Sequence, residues 1–279
     1  MSTPLLFLPG FWHGSWCWSE VQAHLTHTGR TTLAVDMAGH GLRARWPKSI
    51  NKRPFVPRDL AEEVSPMAGI GLDQAGDLLV AQIERLGRGR PVTVVAHSMG
   101  GAVLTRAAEQ APKLVAHAVY LTAYMPASGV PALDYTRMPE SEGNLVPAAL
   151  LGDPGATGVL RLDVLSGDRA YRDLLREAFC ADVDPVTAEA ALGLLTPDSP
   201  VGIGVETTTL TRGGWGSVPR TYIRCARDMA VRPALQERFI AEADAAFPGD
   251  PTATATLDSS HSPFLSMPGE VARIVAGIG

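Results

Sequence analysis

Cysteine is scarce in this chain: only Cys17, Cys180 and Cys225 occur in 279 residues, odd in number and far apart. That excludes a disulfide-stapled scaffold and fits no thiolate metal spacing, so all three are expected as buried thiols in a reduced compartment. No apolar run approaches the ~20 residues that span a bilayer. Met1-Ser2-Thr3-Pro4 lacks a cationic start, and the apolar run behind it stops at Pro9-Gly10, unlike a secretory leader. The expectation is a cytoplasmic protein with no membrane partner. Basic excess is missing too: 24 Lys and Arg face 29 Asp and Glu, a formal charge of −5, so nucleic acid is not an expected partner. The densest basic run, Arg43 to Arg58, holds three prolines and no series of aromatics for stacking; it reads as a solvated loop.

What remains is a chain with 46% hydrophobic and 19% charged residues, enough to bury a large core. Strand-like runs fall near residues 4–8, 31–36, 92–96, 115–121, 219–225 and 252–257. Helical patterns fall near 16–28, 73–87, 99–110, 233–246 and 268–277. Such alternation predicts a mostly parallel central sheet with helices on both faces. Two stretches interrupt it. Residues 42–72 are rich in proline and charge and read as a long loop insertion. Residues 126–216 form an insertion between two strands, with helical patterns near 170–181 and 186–195. The core is then 1–125 with 217–279.

The strongest local signal is Pro91-Val92-Thr93-Val94-Val95-Ala96-His97-Ser98-Met99-Gly100-Gly101. A β-branched strand ends in a small residue, a serine and paired glycines, and a helical pattern begins at once. This is the layout of a nucleophile elbow, with Ala96 in the place of the first glycine of G-x-S-x-G. Serine needs a base, and the base needs an orienting acid; in this layout they follow in the order serine, acid, histidine. Of seven histidines only His261 lies far enough downstream. Asp228, directly after the strand-like Pro219 to Cys225, is the chosen acid, although it also suits the cap of the helix that follows. Asp258 is the rival, while Asp244 and Asp250 fit a helix face and a loop. Backbone N–H groups of Met99 and Phe11 are the expected oxyanion donors. Trp12 and His13 lie near that loop, so either could reach substrate. His40 is expected to stabilise its own turn, and His97 should point away from the serine because side chains alternate along a strand. Gly69-Ile70-Gly71-Leu72-Asp73-Gln74-Ala75 fits a dinucleotide fingerprint but lacks the preceding strand.

Taken together, these motifs resemble the α/β-hydrolase superfamily, in its branch of plant methylesterases, hydroxynitrile lyases and small bacterial esterases. Gly10-Phe11-Trp12-His13-Gly14-Ser15-Trp16-Cys17-Trp18 is similar to that branch's opening motif, and Asp36-Met37-Ala38-Gly39-His40-Gly41 to its D-x-x-G-H-G loop. Ala96 to Gly101 resembles the elbow, Tyr120 to Pro126 the strand leading into the lid, Val218 to Ile223 with Asp228 the acid strand, and His261-Ser262-Pro263 the histidine loop. Pro9 departs from the pattern, where a histidine is usual, so the oxyanion loop must be held differently. Ser262 replaces the lysine that lyase members carry, which counts against cyanohydrin cleavage. The resemblance implies an α/β-hydrolase fold with an inserted helical lid over 126–216. It also implies a serine esterase with Ser98, Asp228 and His261 as triad. Trp12, Tyr124 and Tyr135 are candidate substrate contacts. Most of the lid's apolar residues should pack it onto the core, with a minority lining a pocket.

The expected reaction is hydrolysis of a hydrophobic small-molecule carboxylic ester, a methyl ester or a lactone. A lyase using the same triad, or a ligand-binding pseudoenzyme, is the alternative. No cofactor or metal is expected, and a homodimer is left open.

Overall fold

The computed structural model describes residues 2–278. Eight strands are formed: β1 Leu5–Leu8, β2 Thr32–Ala34, β3 Val92–His97, β4 Val115–Leu121, β5 Val159–Arg161, β6 Asp198–Pro200, β7 Arg220–Cys225 and β8 Ala253–Leu257. Six make one parallel sheet in the order β2-β1-β3-β4-β7-β8, and β5 with β6 form a separate antiparallel pair. The central strands β1 and β3 are buried along their whole length, which is why they read as continuous apolar runs.

Period-two alternation divides the core into two layers. Val92, Val94 and Ala96 of β3 join Leu79 and Ile83 of the helix Leu72–Gly87 and Val103 and Ala107 of the helix Gly100–Gln110. On the other face Val95, with Phe7 and Val119, meets Val21 and Leu25 of the helix Ser19–Leu25 and Val271 and Val275 of the helix Pro268–Ala276. Every expected strand and core helix forms within a few residues of its place. The helix expected over 16–28 is shorter: it is α-helical only from Ser19 to Leu25, between tighter 3-10 turns. Thr26 and Thr28 hydroxyls donate back to the carbonyls of Ala23 and Leu25, and Gly29 at φ 66° ends the turn.

Residues 42–72 are not a bare loop. They carry 3-10 turns at Gly41–Arg43 and Lys48–Asn51 and a helix at Pro57–Glu62, and the Glu63 carboxylate accepts the Lys48 and Ser49 N–H groups at 2.9 and 2.8 Å. The segment 126–216 holds the expected helices as Arg169–Cys180 and Pro185–Gly193, plus the β5–β6 pair, which pattern reading did not anticipate. That pair encloses a fully buried ion pair: Arg161 meets Asp198 through two bonds of 2.6 and 2.7 Å. The same guanidinium donates to the carbonyls of Leu60 and Glu63 at 2.5 and 2.8 Å, tying the two insertions together. Among the described residues no helix is long and apolar enough to cross a membrane.

Asp198→Ala should destabilise the protein by about 3–5 kcal/mol in urea unfolding, because a buried guanidinium loses its counter-charge. Joint replacement of Arg161 and Asp198 by Met and Leu should recover most of that loss; a single-variant cost below about 1 kcal/mol would contradict this account.

Candidate active site

Between the end of β3 and the helix Gly100–Gln110 the chain turns within two residues, and Ser98 takes φ 51°, the left-handed region that side chains disfavour. Its carbonyl accepts the N–H groups of Gly101 and Tyr124, both at 3.0 Å, which holds the strained turn in place. Space around it is minimal. A Cβ on Gly10 would lie 2.5 Å from the Ser98 Cβ, and one on Gly101 would lie 2.2 Å from the Tyr124 carbonyl oxygen.

Asp228 follows β7 and is fully buried. Its Oδ1 accepts the N–H groups of Ala230 and Val231 at 2.7 and 2.8 Å, so it does shape the turn before the helix Pro233–Ala246. Its Oδ2 accepts the Thr122 hydroxyl and, at 2.7 Å, Nδ1 of His261. With the proton on Nδ1, Nε2 of a neutral His261 is left as an acceptor. The rival Asp258 is exposed and paired with Arg227 at 2.9 Å. Asp244 holds the N–H and hydroxyl of Thr252. Ser98, Met99, Phe11 and His261 line one cavity of about 690 Å³. Both Ser98 and His261 line it, with no hydrogen bond between them among the described residues.

His97 does not line that cavity, in keeping with strand alternation. It lies beneath the site instead: Nε2 donates to the His261 carbonyl at 2.8 Å, and the two rings are 4.5 Å apart. Burial holds His97 well below the usual imidazole range, so it stays neutral beside His261. Nothing in the local sequence signals this contact.

The loop after β1 is gripped from both sides. His13 Nδ1 donates to the Phe11 carbonyl at 2.9 Å, and the Trp12 N–H donates to the Ser199 hydroxyl oxygen at 3.0 Å. Ser199 in turn donates to His40 Nε2 at 2.9 Å, because His40 Nδ1 carries its proton toward the Ala38 carbonyl. Thr196 supplies its N–H at 2.8 Å and its hydroxyl at 3.2 Å to the Trp12 carbonyl, and the Trp12 indole N–H donates to the Leu160 carbonyl at 3.1 Å. These contacts hold Trp12 at φ 61°. His40 therefore stabilises more than its own turn; its ring also stacks on Phe11 at 5.5 Å. The N–H groups of Phe11 and Met99 have no hydrogen-bond partner among the described residues.

Of the three candidate contacts, Trp12 and Tyr124 line the cavity and Tyr135 does not. Tyr135 lies in the 3-10 helix Ala132–Arg137, whose other face carries Leu133, Thr136 and Arg137 to the cavity. It turns into the core, donates to Glu242 at 2.5 Å and packs on Phe239 at 4.7 Å, so it is corrected to a structural residue. Among the apolar residues of 126–216, Val146, Leu160 and Phe179 line the cavity, whereas Leu165 and Leu194 are exposed. No residue of 42–72 lines it. His13 does not line it either and packs against Trp16 and Phe264.

A parallel sheet whose third strand turns through a strained serine into a helix defines an α/β hydrolase. The sequence pattern described as "Alpha/beta hydrolase family" matches residues 5–274, and the chain belongs to that family. It is 28% identical over 272 residues to putative methylesterase 11, chloroplastic, of Arabidopsis thaliana, covering 95% of this chain and 61% of that protein. It is 26% identical over 271 residues to methylesterase 9 of Arabidopsis thaliana, covering 93% and 91% of the two chains. In three dimensions it is similar to a pyrethroid hydrolase from Sphingobium faniae JZ-2, with TM-score 0.75, 21% identity and coverage of 98% and 96%.

Burial holds His13 and His40 down at about 4, against 6.5 for an unfolded imidazole. Between those values protons bind the unfolded chain in preference, so stability falls as the pH drops from about 6.5 toward 4. The fall should reach about 1.4 kcal/mol per pH unit for each histidine. Urea midpoints should drop between pH 7 and 5, less steeply in His40→Asn; a flat profile in the unaltered protein would refute this.

Proposed function

We propose that this protein is a serine esterase that hydrolyses a hydrophobic small-molecule carboxylic ester, in the manner of a methylesterase, with a lactone accommodated by the same chemistry. The observation that carries the reading is the convergence of Ser98, the His261–Asp228 pair and two unpartnered backbone N–H groups on one largely apolar cavity. His261 Nε2 would take the Ser98 proton as the hydroxyl oxygen attacks the ester carbonyl. The N–H groups of Phe11 and Met99 would hold the oxyanion, each worth about 10²–10³ in rate. Collapse of the tetrahedral intermediate expels the alcohol, which receives the proton from His261, and leaves Ser98 acylated. Water deprotonated by His261 then attacks the acyl-enzyme and releases the acid. Asp228 would keep the His261 proton on Nδ1 throughout. The segment 126–216 would act as the lid, excluding water and shaping the apolar walls. Esterase and methylesterase relatives support the reaction class.

Intact mass after fluorophosphonate treatment, with turnover of short p-nitrophenyl esters, tests this. The unaltered protein should gain one adduct and turn over; Ser98→Ala should lose the adduct and at least about 10⁴ of the activity, and His261→Ala should fall comparably. Activity retained in Ser98→Ala would sink the mechanism. Asp228→Asn should cost about 10⁴ through the wrong histidine tautomer. A greater loss in Asp258→Asn would reassign the acid.

A further inference from the structure

The chain has five tyrosines, and four of their hydroxyls are engaged. Tyr120 bonds Thr105 and Trp215, Tyr135 bonds Glu242 and the Ala127 N–H, Tyr171 bonds the Ala149 carbonyl and the Asp163 N–H, and Tyr222 donates to the Ala123 carbonyl. Tyr124 differs. It is only 5% exposed and lines the cavity, yet its hydroxyl has no hydrogen-bond partner among the described residues. The ring is buried while the hydroxyl oxygen keeps accessible surface, so its hydrogen-bonding capacity is open to whatever occupies the cavity.

The surroundings fix where this residue sits. The Tyr124 N–H donates to the Ser98 carbonyl at 3.0 Å, so the residue is pinned beside the elbow. Its ring meets Phe239 edge-on at 5.6 Å. Met99, Leu160, Phe179 and Val231 supply apolar wall to the same cavity. Burial, helped by the nearby Asp228 charge, pushes the phenol above its ordinary range, so the group is a neutral donor and no general base.

We infer that the Tyr124 hydroxyl forms a recognition subsite beside Ser98, and that the preferred substrates are esters carrying a second oxygen acceptor, such as an ether, ketone or hydroxyl oxygen, close to the scissile carbonyl. This rests on the esterase reading and narrows it. A purely hydrocarbon acyl chain leaves the phenol unpaired in the complex, whereas an acceptor in reach restores its hydrogen bond. Discrimination of this kind comes from the unpaired polar group as much as from the bond gained.

The test compares isosteric esters that differ by an oxygen for a methylene. They are p-nitrophenyl methoxyacetate against butyrate, and 3-methoxypropionate against valerate, each with the unaltered enzyme and Tyr124→Phe. Dividing the methoxy-to-alkyl ratio of kcat/KM in one enzyme by that in the other cancels the intrinsic reactivity of each ester. In at least one pair the ratio should fall about three- to tenfold in the variant, the worth of one neutral hydrogen bond. Ratios equal within twofold in both pairs would overturn the subsite. If the unaltered protein hydrolyses none of the four, the esterase reading fails on its own. The subsite is then read by quenching of tryptophan fluorescence with methoxyacetone and 2-pentanone, since Trp12 lines the cavity. Selective weakening of methoxyacetone in Tyr124→Phe supports the subsite, and equal effects on both ketones refute it.

Discussion

The buried carboxylate of Asp228 is the point on which the site's geometry depends. Removing a carboxylate from water is costly unless donors replace the hydration shell. Here four do so: the N–H groups of Ala230 and Val231, the hydroxyl of Thr122 and the imidazole of His261. They come from the ends of β4 and β7 and from the loop after β8, which are neighbours in the sheet. The carboxylate therefore joins three chain segments at one edge of the sheet, where parallel α/β folds commonly place their ligands. His97 adds a second grip on the last segment through the His261 carbonyl. His261 is thus fixed at its ring by Asp228 and at its main chain by His97.

What could be read from sequence follows the range of the interactions involved. The elbow was legible because its constraints are local: a β-branched strand, a serine, and glycines where any side chain would collide with the Tyr124 or Pro9 carbonyls. The sheet was legible because buried parallel strands are short apolar runs between helical periods. Asp228 and His261 followed from chain order and strand ends. The grip on Trp12 was not legible, since Ser199 and Thr196 lie 187 and 184 residues away from it and no local pattern marks them. Tyr135 was misassigned for a related reason: its neighbours on both sides reach the cavity, and only the turn of a 3-10 helix sends its ring inward. The helical content of 42–72 escaped because its segments, three to six residues long, are too short to show apolar periodicity.

The lining of the cavity divides between the sheet and the segment 126–216. Ser98 and His261 come from the sheet edge, while much of the apolar wall, including Leu133, Val146, Leu160 and Phe179, comes from 126–216. The cavity's charged residues Asp134, Arg137 and Asp153 are exposed, so polarity rises toward the mouth and falls toward Ser98. Such a gradient suits a ligand that enters hydrated and reacts dry.

The attachment of Trp12 limits how that ligand can enter. Leu160 in β5, Ser199 in β6 and Thr196 before it all bond Trp12, and the Arg161–Asp198 pair locks β5 to β6 and to residues 60 and 63. A hinge motion lifting this pair of strands would break four hydrogen bonds to Trp12 and release the backbone next to Phe11. Lifting of this strand pair and retention of the Phe11–Trp12 backbone geometry are therefore incompatible. The strand pair is thus a fixed wall behind Trp12, held by side-chain and main-chain bonds from both insertions.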